Sequence, residues 1–509
     1  MKATVIPTDS AQYFSTDHLA SNLKIRAMRG ASMTLIAQVF SFAVQTVGTI
    51  ILARILTPDD FGLIAMVLTM SLLLQNFGLN GFTEAVIQQK EINHRQISTL
   101  FWIGVALSVF LSVFFIVSIP VIVWFYREPR LKLIIIVISS SIAITGFSIQ
   151  HLALLKRGME FRKIAVNDMT AGVMSTIIPI AMAWSGCGYW SLVAKWIISP
   201  LFTTIGAWLL CGWRPSPPSR GTGVRRMFRF AMQTYGNFFM SYFRRNLDKI
   251  LIGRFYGGLA LGLYDRAYQL SSMIPSQIVS PLSSVAISAF SKLSGDKVKY
   301  RDSYLKLLSL IGFIGVPLSA ALTLISNDVI FVLLGPKWHD AVKIFFAFGL
   351  SIGVVMIYIT HGWLHLSLGT PDRWFKWGIV ELFVTLICFM VGLRFGAFGV
   401  AIAFSASFYI LVGPALWYAG KPIDLSILSV VSCLWKYYVS AFASGLSCWV
   451  LIYFHQGASV VFMDANIVLR MAISVLLCLL LYLIFVIALH RSPKPIVQFI
   501  STLREIVRR

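Results

Sequence analysis

The chain has 509 residues, of which 57% are hydrophobic and only 12% are charged. A soluble protein cannot bury so much apolar surface, because the buried fraction rises only slowly with chain length. The formal net charge of +23 would suit a nucleic-acid-binding protein, but the basic residues are scattered between apolar segments and form no single basic face. The composition therefore excludes a soluble domain and a nucleic-acid partner, and it predicts an integral membrane protein.

Residues 1–30 are polar, carry Asp9 and Asp17, and lack the short apolar core of a cleavable signal peptide. We interpret them as a cytoplasmic tail. Apolar segments of about 20 residues or more follow, long enough to cross a hydrocarbon core of about 30 Å as helices. We predict fourteen spans, at 31–53, 61–87, 97–125, 131–153, 165–186, 189–212, 227–253, 263–290, 304–326, 341–368, 374–393, 397–418, 433–454 and 467–489.

The loops between these spans alternate in basic content. The loop after the fourth span holds Lys156, Arg157, Arg162 and Lys163, whereas the loop after the first span holds Arg54 alone. Basic loops stay on the cytoplasmic side of a membrane, so we predict that both termini are cytoplasmic. Every loop is short, which argues against an enzyme that needs a folded domain outside the bilayer.

An internal repeat links two stretches of the chain. Residues 51–63 read ILARILTPDDFGL and residues 251–263 read LIGRFYGGLALGL. Arg54 matches Arg254 and Gly62 matches Gly262 at a constant offset of 200 residues. We expect both stretches to be turns on the outer side, with glycine allowing a tight reversal of the chain. Repeats of this kind are typical of transporters.

A polar stripe runs along the first predicted span. Its members recur every three or four residues and therefore share one helical face; they are Thr34, Gln38, Ser41, Gln45 and Thr49. The corresponding positions of the seventh span are Thr234, Phe238, Ser241, Arg245 and Lys249. Such stripes face protein or water rather than lipid. Two interpretations stay open: they line a shared central cavity, or they join helices by hydrogen bonds.

The seventh span also carries a cluster of charges. Arg244 and Asp248 are four residues apart and can pair on one helical face. Pairing would leave Arg245 and Lys249 available for an anion. The alternative is that Arg245 reaches outer lipid headgroups, because it lies about 27 Å along its helix from Met227 at about 1.5 Å per residue.

Other polar groups give weaker signals. Five carboxylates within or beside spans are candidates for coupling to a proton or sodium gradient: Asp248, Asp265, Asp168, Glu84 and Glu381. His361 and His365 share a helical face, but no third ligand is recognisable, so we predict no metal site. The six cysteines form no CxxC pair, and we interpret them as small buried hydrophobic residues.

Two motifs carry a family resemblance. Residues 52–65, LARILTPDDFGLIA, resemble the first-loop signature of the polysaccharide transporter family. Residues 246–258, NLDKILIGRFYGG, and 261–270, LGLYDRAYQL, resemble its second-half signature. The resemblance spans about residues 30–420. It implies an all-α membrane fold of the superfamily that includes MATE drug exporters and the lipid II flippase. Two six-helix bundles, at 31–212 and 227–418, would surround a central cavity with a linker at 213–226. Two more helices at 433–489 and a basic tail at 490–509 complete the chain.

The same resemblance implies a function without catalysis. The expected activity is that of a flippase, which moves undecaprenyl-diphosphate-linked oligosaccharide from the cytoplasmic to the periplasmic leaflet by alternating access. Expected partners are membrane lipid and the polysaccharide polymerase and export machinery, and no cofactor is expected. On this basis the expected substrate-binding residues are Arg244, Arg245, Asp248, Lys249, Gln38, Ser41, Gln45 and Ser241. Two alternatives remain: a MATE-like drug exporter, and an O-antigen polymerase or ligase, which would carry a sizeable periplasmic loop.

Overall fold

The computed structural model describes residues 23–88, 92–219, 225–453, 466–497, 499 and 501. Its regular elements are α-helices and three short 3₁₀ turns, at Pro336–Trp338, Leu393–Phe395 and Lys421–Ile423. The helices are α1 Leu23–Ile55, α2 Pro58–Gln88, α3 His94–Val117, α4 Ile119–Tyr126, α5 Leu131–Gly146, α6 Ile149–Arg157, α7 Phe161–Trp184, α8 Trp190–Leu210, α9 Arg225–Leu293, α10 Lys297–Leu324, α11 Ser326–Leu333, α12 Ala341–Gly349, α13 Ile352–Ser367, α14 Pro371–Gly392, α15 Gly396–Gly420, α16 Ile427–Tyr453 and α17 Ile467–His490.

The last helix illustrates how these segments suit lipid. In α17 the residues at positions 474, 478, 482 and 486 are buried, and the first three of these are Ser, Cys and Tyr. The opposite face exposes Leu476, Leu480 and Ile484, each more than half accessible. A spacing of four keeps each set on its own face. The polar side therefore faces protein and the aliphatic side faces outward, the reverse of a helix on a soluble protein.

Ten helical segments of the described chain are long and apolar enough to cross a membrane, or up to twelve if each of two bent pairs forms one span. The stretch Pro371–Ile423 is counted once in that total although it contains both α14 and α15. The predicted all-α membrane fold is thus confirmed, whereas the exact number of fourteen spans stays a prediction.

Several predicted spans are broken helices. The fourth span is divided between α5 and α6, and the tenth between α12 and α13 with a bend of 51°. The seventh and eighth spans are continuous in α9 except at Gly257, where φ is 78° and ψ is −170°. Only glycine adopts this conformation without strain. These breaks matter because backbone groups freed within a membrane protein must find partners inside it.

Contacts divide the chain into two compact units, Met1–Gly262 (unit 1) and Leu263–Arg509 (unit 2). In unit 2, two hydrogen bonds between hydroxyl groups join α10 to α13. Tyr300 bonds to Ser367 at 2.5 Å, and Tyr304 bonds to Thr360 at 2.7 Å. Arg470 of α17 forms an ion pair with Asp328 of α11. This pair attaches the C-terminal helix to its unit. The domain boundaries drawn from the sequence stay predictions.

The two units share backbone features at an offset of 210 residues. After α6, Met159 has a φ of 54°, and after α13, Gly369 has a φ of 66°. After α7, Gly186 has a φ of 80°, and after α14, Gly396 has a φ of 73°. The left-handed region is costly for residues other than glycine. In both units, positions 210 residues apart therefore follow these helices with a positive φ.

Candidate functional site

A cavity of about 330 Å³ lies within unit 1 between α1, α7 and α8. The polar stripe of α1 forms one wall, through Thr34, Gln38, Ser41 and Gln45. The fifth member of the stripe, Thr49, does not line this cavity. The volume of the cavity falls in the range of small-molecule sites, about 300–1,000 Å³. The structure therefore places the predicted residues Gln38, Ser41 and Gln45 together on one accessible surface.

The other two walls are also polar. Asp168 and Gly172 of α7 face the cavity four residues apart, and so do Ser199 and Thr203 of α8. Within the described part of the chain, Asp168 is the one charged residue that lines it. The helices approach closely here, because a Cβ atom on Gly48 of α1 would overlap the side chain of Thr176 on α7. The cavity is consequently a gap between tightly packed helices.

The hydrogen bonds of the stripe separate the two interpretations left open by the sequence. The side chains of Gln38, Ser41 and Gln45 form no hydrogen bond with any other residue that the structure describes. The Oγ atom of Ser41 is shielded from solvent and still lacks a partner there. Buried polar groups normally find partners. Gln38 and Gln45 are exposed, so the rule applies only to Ser41. Among the described residues, the stripe shows no hydrogen bond that joins helices through these three side chains.

The charged cluster of α9 lies elsewhere in unit 1. Asp248 is buried, with 2% of its surface exposed, Lys249 is half-buried, and Arg245 is exposed. The side chains of Ser241 and Arg244 lie outside the described part of the structure. Of the described side chains, those of Arg245, Asp248 and Lys249 do not line the cavity between α1, α7 and α8. The structure thus does not bring the α9 cluster together with the α1 stripe, and a role in substrate binding stays a prediction.

The two repeated turns contact each other directly within unit 1. A Cβ atom on Gly62 would overlap the carbonyl oxygen of Gly258, and one on Gly262 would overlap that of Pro58. Positions 58 and 258, like 62 and 262, are 200 residues apart, so the two contacts are reciprocal. Gly62 and Gly262 lie inside α2 and α9 and are absent from the positive-φ residues of the described chain. The expectation that they allow chain reversal was wrong: a side chain is excluded there because two backbones touch.

Local bonds fix the first of these turns. Thr57 and Asp60 form a reciprocal capping arrangement before α2, in which the Thr57 amide donates to the Asp60 carboxylate at 2.9 Å. Asp59, which lies between them in the chain, pairs with Arg130 at 2.9 Å, and Arg130 also binds Glu128 at 2.8 Å. The hydrogen bonds from Arg130 lower the pKa of Glu128 below its ordinary value of 4.5. These ion pairs connect the turn before α2 to the residues just before α5.

The motif arginines differ in their surroundings. Arg54 is exposed in the last turn of α1. Arg254 is half-buried, and its guanidinium lies 5.7 Å from the ring centroids of both Phe125 and Phe255. Cations are attracted to aromatic faces at this distance. Arg254 therefore contributes to packing beside the repeated turn, whereas Arg54 is the more exposed of the two.

The remaining candidates occupy separate places. Asp265 is buried and accepts hydrogen bonds from Arg266 at 2.7 Å and Gln269 at 2.8 Å. Glu381 is 7% exposed, and the side chain of Glu84 lies outside the described part. His361 and His365 are buried with ring centroids 6.0 Å apart. Among the described residues, no group of three or more His, Cys, Asp or Glu side chains could hold a metal ion.

Sequence reasoning gave too little weight to Asp168, which it named as one of several carboxylates, and it missed Ser199 and Thr203. A usable signal existed. Asp168 with Gly172, and Ser199 with Thr203, each recur at a spacing of four and therefore share a helical face. What the sequence lacks is the information that α7 and α8 pack beside α1 with these faces turned toward the stripe.

The helical fold and its polar intramembrane cavity define a multi-pass membrane protein of a transporter type. The structure is similar to that of the lipid II flippase MurJ in its inward closed conformation, with a TM-score of 0.71, 15% sequence identity, and 90% of this chain and 98% of that chain covered. At that identity the likeness concerns the fold alone.

The sequence assigns the family. The profile of the polysaccharide biosynthesis protein family matches residues 51–343, and the chain belongs to this family. It is similar to the lipopolysaccharide biosynthesis protein WzxC of Escherichia coli (strain K12), 25% identical over 80% of this chain and 85% of that protein. It is also similar to the succinoglycan biosynthesis transport protein ExoT of Rhizobium meliloti (strain 1021), 24% identical over 70% and 72%. The resemblance inferred from the turn motifs is confirmed.

Proposed function

We propose that this protein is a flippase that moves an undecaprenyl-diphosphate-linked oligosaccharide across the bacterial inner membrane, from the cytoplasmic to the periplasmic leaflet, for the biosynthesis of a surface polysaccharide. The observation that carries the proposal is the polar cavity of unit 1, with unpartnered side chains at Gln38, Ser41 and Gln45. Sugar hydroxyls cannot enter hydrocarbon without replacing their hydrogen bonds to water. Amide and hydroxyl side chains supply such bonds inside the membrane.

The printed names of the relatives support the same activity. One is a lipopolysaccharide biosynthesis protein, and the other is a transport protein for succinoglycan biosynthesis. The similar fold is that of a flippase for lipid II. A lipid-linked glycan fits these names and the cavity together. In this proposal both termini face the cytoplasm, and the polymerase or export machinery receives the glycan outside.

The diphosphate needs a cationic site. Arg245 is exposed and Lys249 is half-buried on one face of α9, and neither side chain lines the α1 cavity. Guanidinium and ammonium groups bind phosphate oxygens through charge-assisted hydrogen bonds. We therefore assign the diphosphate to Arg245 and Lys249 and the sugars to the α1 stripe, while the polyprenyl tail stays in lipid.

The location of the lipid-linked intermediate tests this function. Deleting the gene should abolish the surface polysaccharide and cause the lipid-linked unit to accumulate on the cytoplasmic leaflet. Accumulation on the periplasmic leaflet would overturn the proposal in favour of a polymerase or ligase. Normal polysaccharide with increased drug sensitivity would point to a drug exporter.

A variant series tests the diphosphate assignment. Arg245→Ala with Lys249→Ala should strongly reduce export while the amount of folded protein in the membrane stays unchanged. Arg394→Ala is the matched control, because Arg394 is exposed in a 3₁₀ turn far along the chain from α9. Normal export by the double variant would assign both cations to outer lipid headgroups instead.

A further inference from the structure

The segment that follows α8 lies along α3. We call this segment, residues 211–219, the strap. The Ser216 amide donates a hydrogen bond to the Ser98 hydroxyl at 3.1 Å, and the Ser219 amide donates one to the Thr99 hydroxyl at 3.3 Å. Both acceptors belong to the first two turns of α3. The described part of the connection between α8 and α9 is therefore attached to another helix of unit 1.

Trp213 anchors the start of the strap. Its side chain is fully buried, and its indole N–H donates a hydrogen bond to Nδ1 of His94 at 3.1 Å. The Trp213 ring also packs edge-on against Phe101 and His151, with centroid distances of 6.0 and 5.1 Å. An indole nitrogen can only donate, so Nδ1 of His94 must be unprotonated. The bond consequently requires a neutral His94 ring that carries its proton on Nε2.

Protonation of His94 would remove this acceptor. Both nitrogens of a charged histidine ring are donors, so an N–H group at Nδ1 would meet the indole N–H of Trp213. The indole would then be buried without a partner, and an unsatisfied buried donor is costly. If Trp213 leaves its site, water can satisfy the indole, and the strap moves away from α3 with it.

Other groups around the strap also carry charge or titrate. They are Arg95 on α3, His151 on α6, Lys163 on α7, and Cys211 and Arg214 in the strap itself. Arg214 donates to the carbonyl oxygen of Trp213 at 2.9 Å and keeps its charge at any physiological pH. An ordinary histidine changes its charge between about pH 8 and pH 5, and of these groups only His151 shares that range. His151 is therefore the competing pH sensor.

We propose that the hydrogen bond between His94 and Trp213 is a pH-sensitive latch on the strap. The latch is closed while the His94 ring is neutral, and it opens when the ring takes up a proton. Acidification therefore frees the described end of the connection to α9, which begins at Arg225. The latch uses none of the proposed substrate-binding residues, so it does not rest on the flippase function.

Hydrogen–deuterium exchange of the purified full-length protein in lipid nanodiscs tests the latch, with labelling times adjusted for the effect of pH on intrinsic exchange. The readout is the protection of the Ser216 and Ser219 amides. Between about pH 8 and pH 5 the wild type should lose protection by about tenfold, the effect expected when a buried hydrogen bond is lost. His94→Gln offers an amide oxygen that accepts at every pH, so protection should stay high throughout.

Three more variants complete the experiment. His339→Gln is the matched control, because His339 is exposed after the 3₁₀ turn Pro336–Trp338, and it should respond to pH like the wild type. His94→Phe has no acceptor and should show low protection at both ends of the pH range, while peptides from α17 keep their wild-type protection and show that the protein is folded. His151→Gln tests the competing sensor and should still respond to pH.

Four results would overturn the proposal. They are a wild type without a pH response, a response that persists in His94→Gln, high protection in His94→Phe, and a response that only His151→Gln abolishes.

Discussion

Replacing Gly62 or Gly262 by alanine should force the two repeated turns of unit 1 apart. A Cβ atom on Gly62 would lie 2.9 Å from the Cα atom of Gly258, besides overlapping its carbonyl oxygen. A Cβ atom on Gly262 would lie 3.0 Å from the amide nitrogen of Gly62 and 2.8 Å from the carbonyl carbon of Pro58. A Cβ atom on Gly62 would lie 2.5 Å from the carbonyl carbon of Gly258. Carbon atoms are most stable about 3.5–4.0 Å apart, so the backbones must separate by at least about 1 Å.

The expected cost follows from the kind of neighbour. A flexible side chain could rotate away, but these neighbours are backbone atoms held by helices, so the strain is distributed over the turn. Overpacking of this kind costs about 1–3 kcal/mol. The two single variants should be destabilised to a similar extent, because their contacts are reciprocal. The double variant should cost less than the sum, since the first separation relieves the second clash.

Thermal unfolding of the purified protein, followed by tryptophan fluorescence, measures these differences as shifts in Tm. Gly104→Ala is the matched control, because no atom lies within 4 Å of a Cβ placed on this residue of α3. That control should be neutral or stabilising, since alanine favours helix over glycine by about 1 kcal/mol. If Gly62→Ala were as stable as Gly104→Ala, or the single effects added fully, the reciprocal contact would be refuted.

Two further predictions concern ion pairs. Arg470→Ala should lower Tm by loosening α17, at a cost of about 3–5 kcal/mol. The reason is that Asp328 would remain buried without its partner, with 9% of its side chain exposed. Adding Asp328→Ala should recover part of the lost stability, and no recovery would contradict this prediction. The Arg130 hydrogen bonds lower the pKa of Glu128, so their stabilising effect is present above 4.5 and is lost as the pH falls through the lowered pKa. Glu128→Gln should flatten the acid side of a plot of Tm against pH, and an unchanged plot would contradict the assignment.

The sequence was sufficient for the fold class and for the face of α1 because both are local properties. The length of apolar segments determines which can cross the bilayer, and a spacing of three or four residues assigns Gln38, Ser41 and Gln45 to one side of a helix. Neither inference needs a contact between distant parts of the chain. The helix breaks after Gly146 and Gly349 were not foreseen, because continuous apolar runs do not reveal where a helix bends.

Contacts between distant residues could not be deduced in the same way. A glycine in a turn motif can be required because its φ is positive or because another backbone approaches it closely. The sequence around Gly62 and Gly262 does not distinguish these two reasons. The sequence likewise does not show that Asp168 lines the cavity, because this depends on the packing of α7 against α1. For Arg245 and Lys249, periodicity predicts a shared helical face, but it does not show which surface that face meets.

The residues with positive φ after α6 and α13 differ in what this backbone conformation costs. Gly369 can adopt its conformation freely, whereas Met159, at the matching position, adopts it with a side chain attached. The positive φ at Met159 therefore carries a conformational cost that the packing of α6 and α7 must offset, whereas the positive φ at Gly369 carries none.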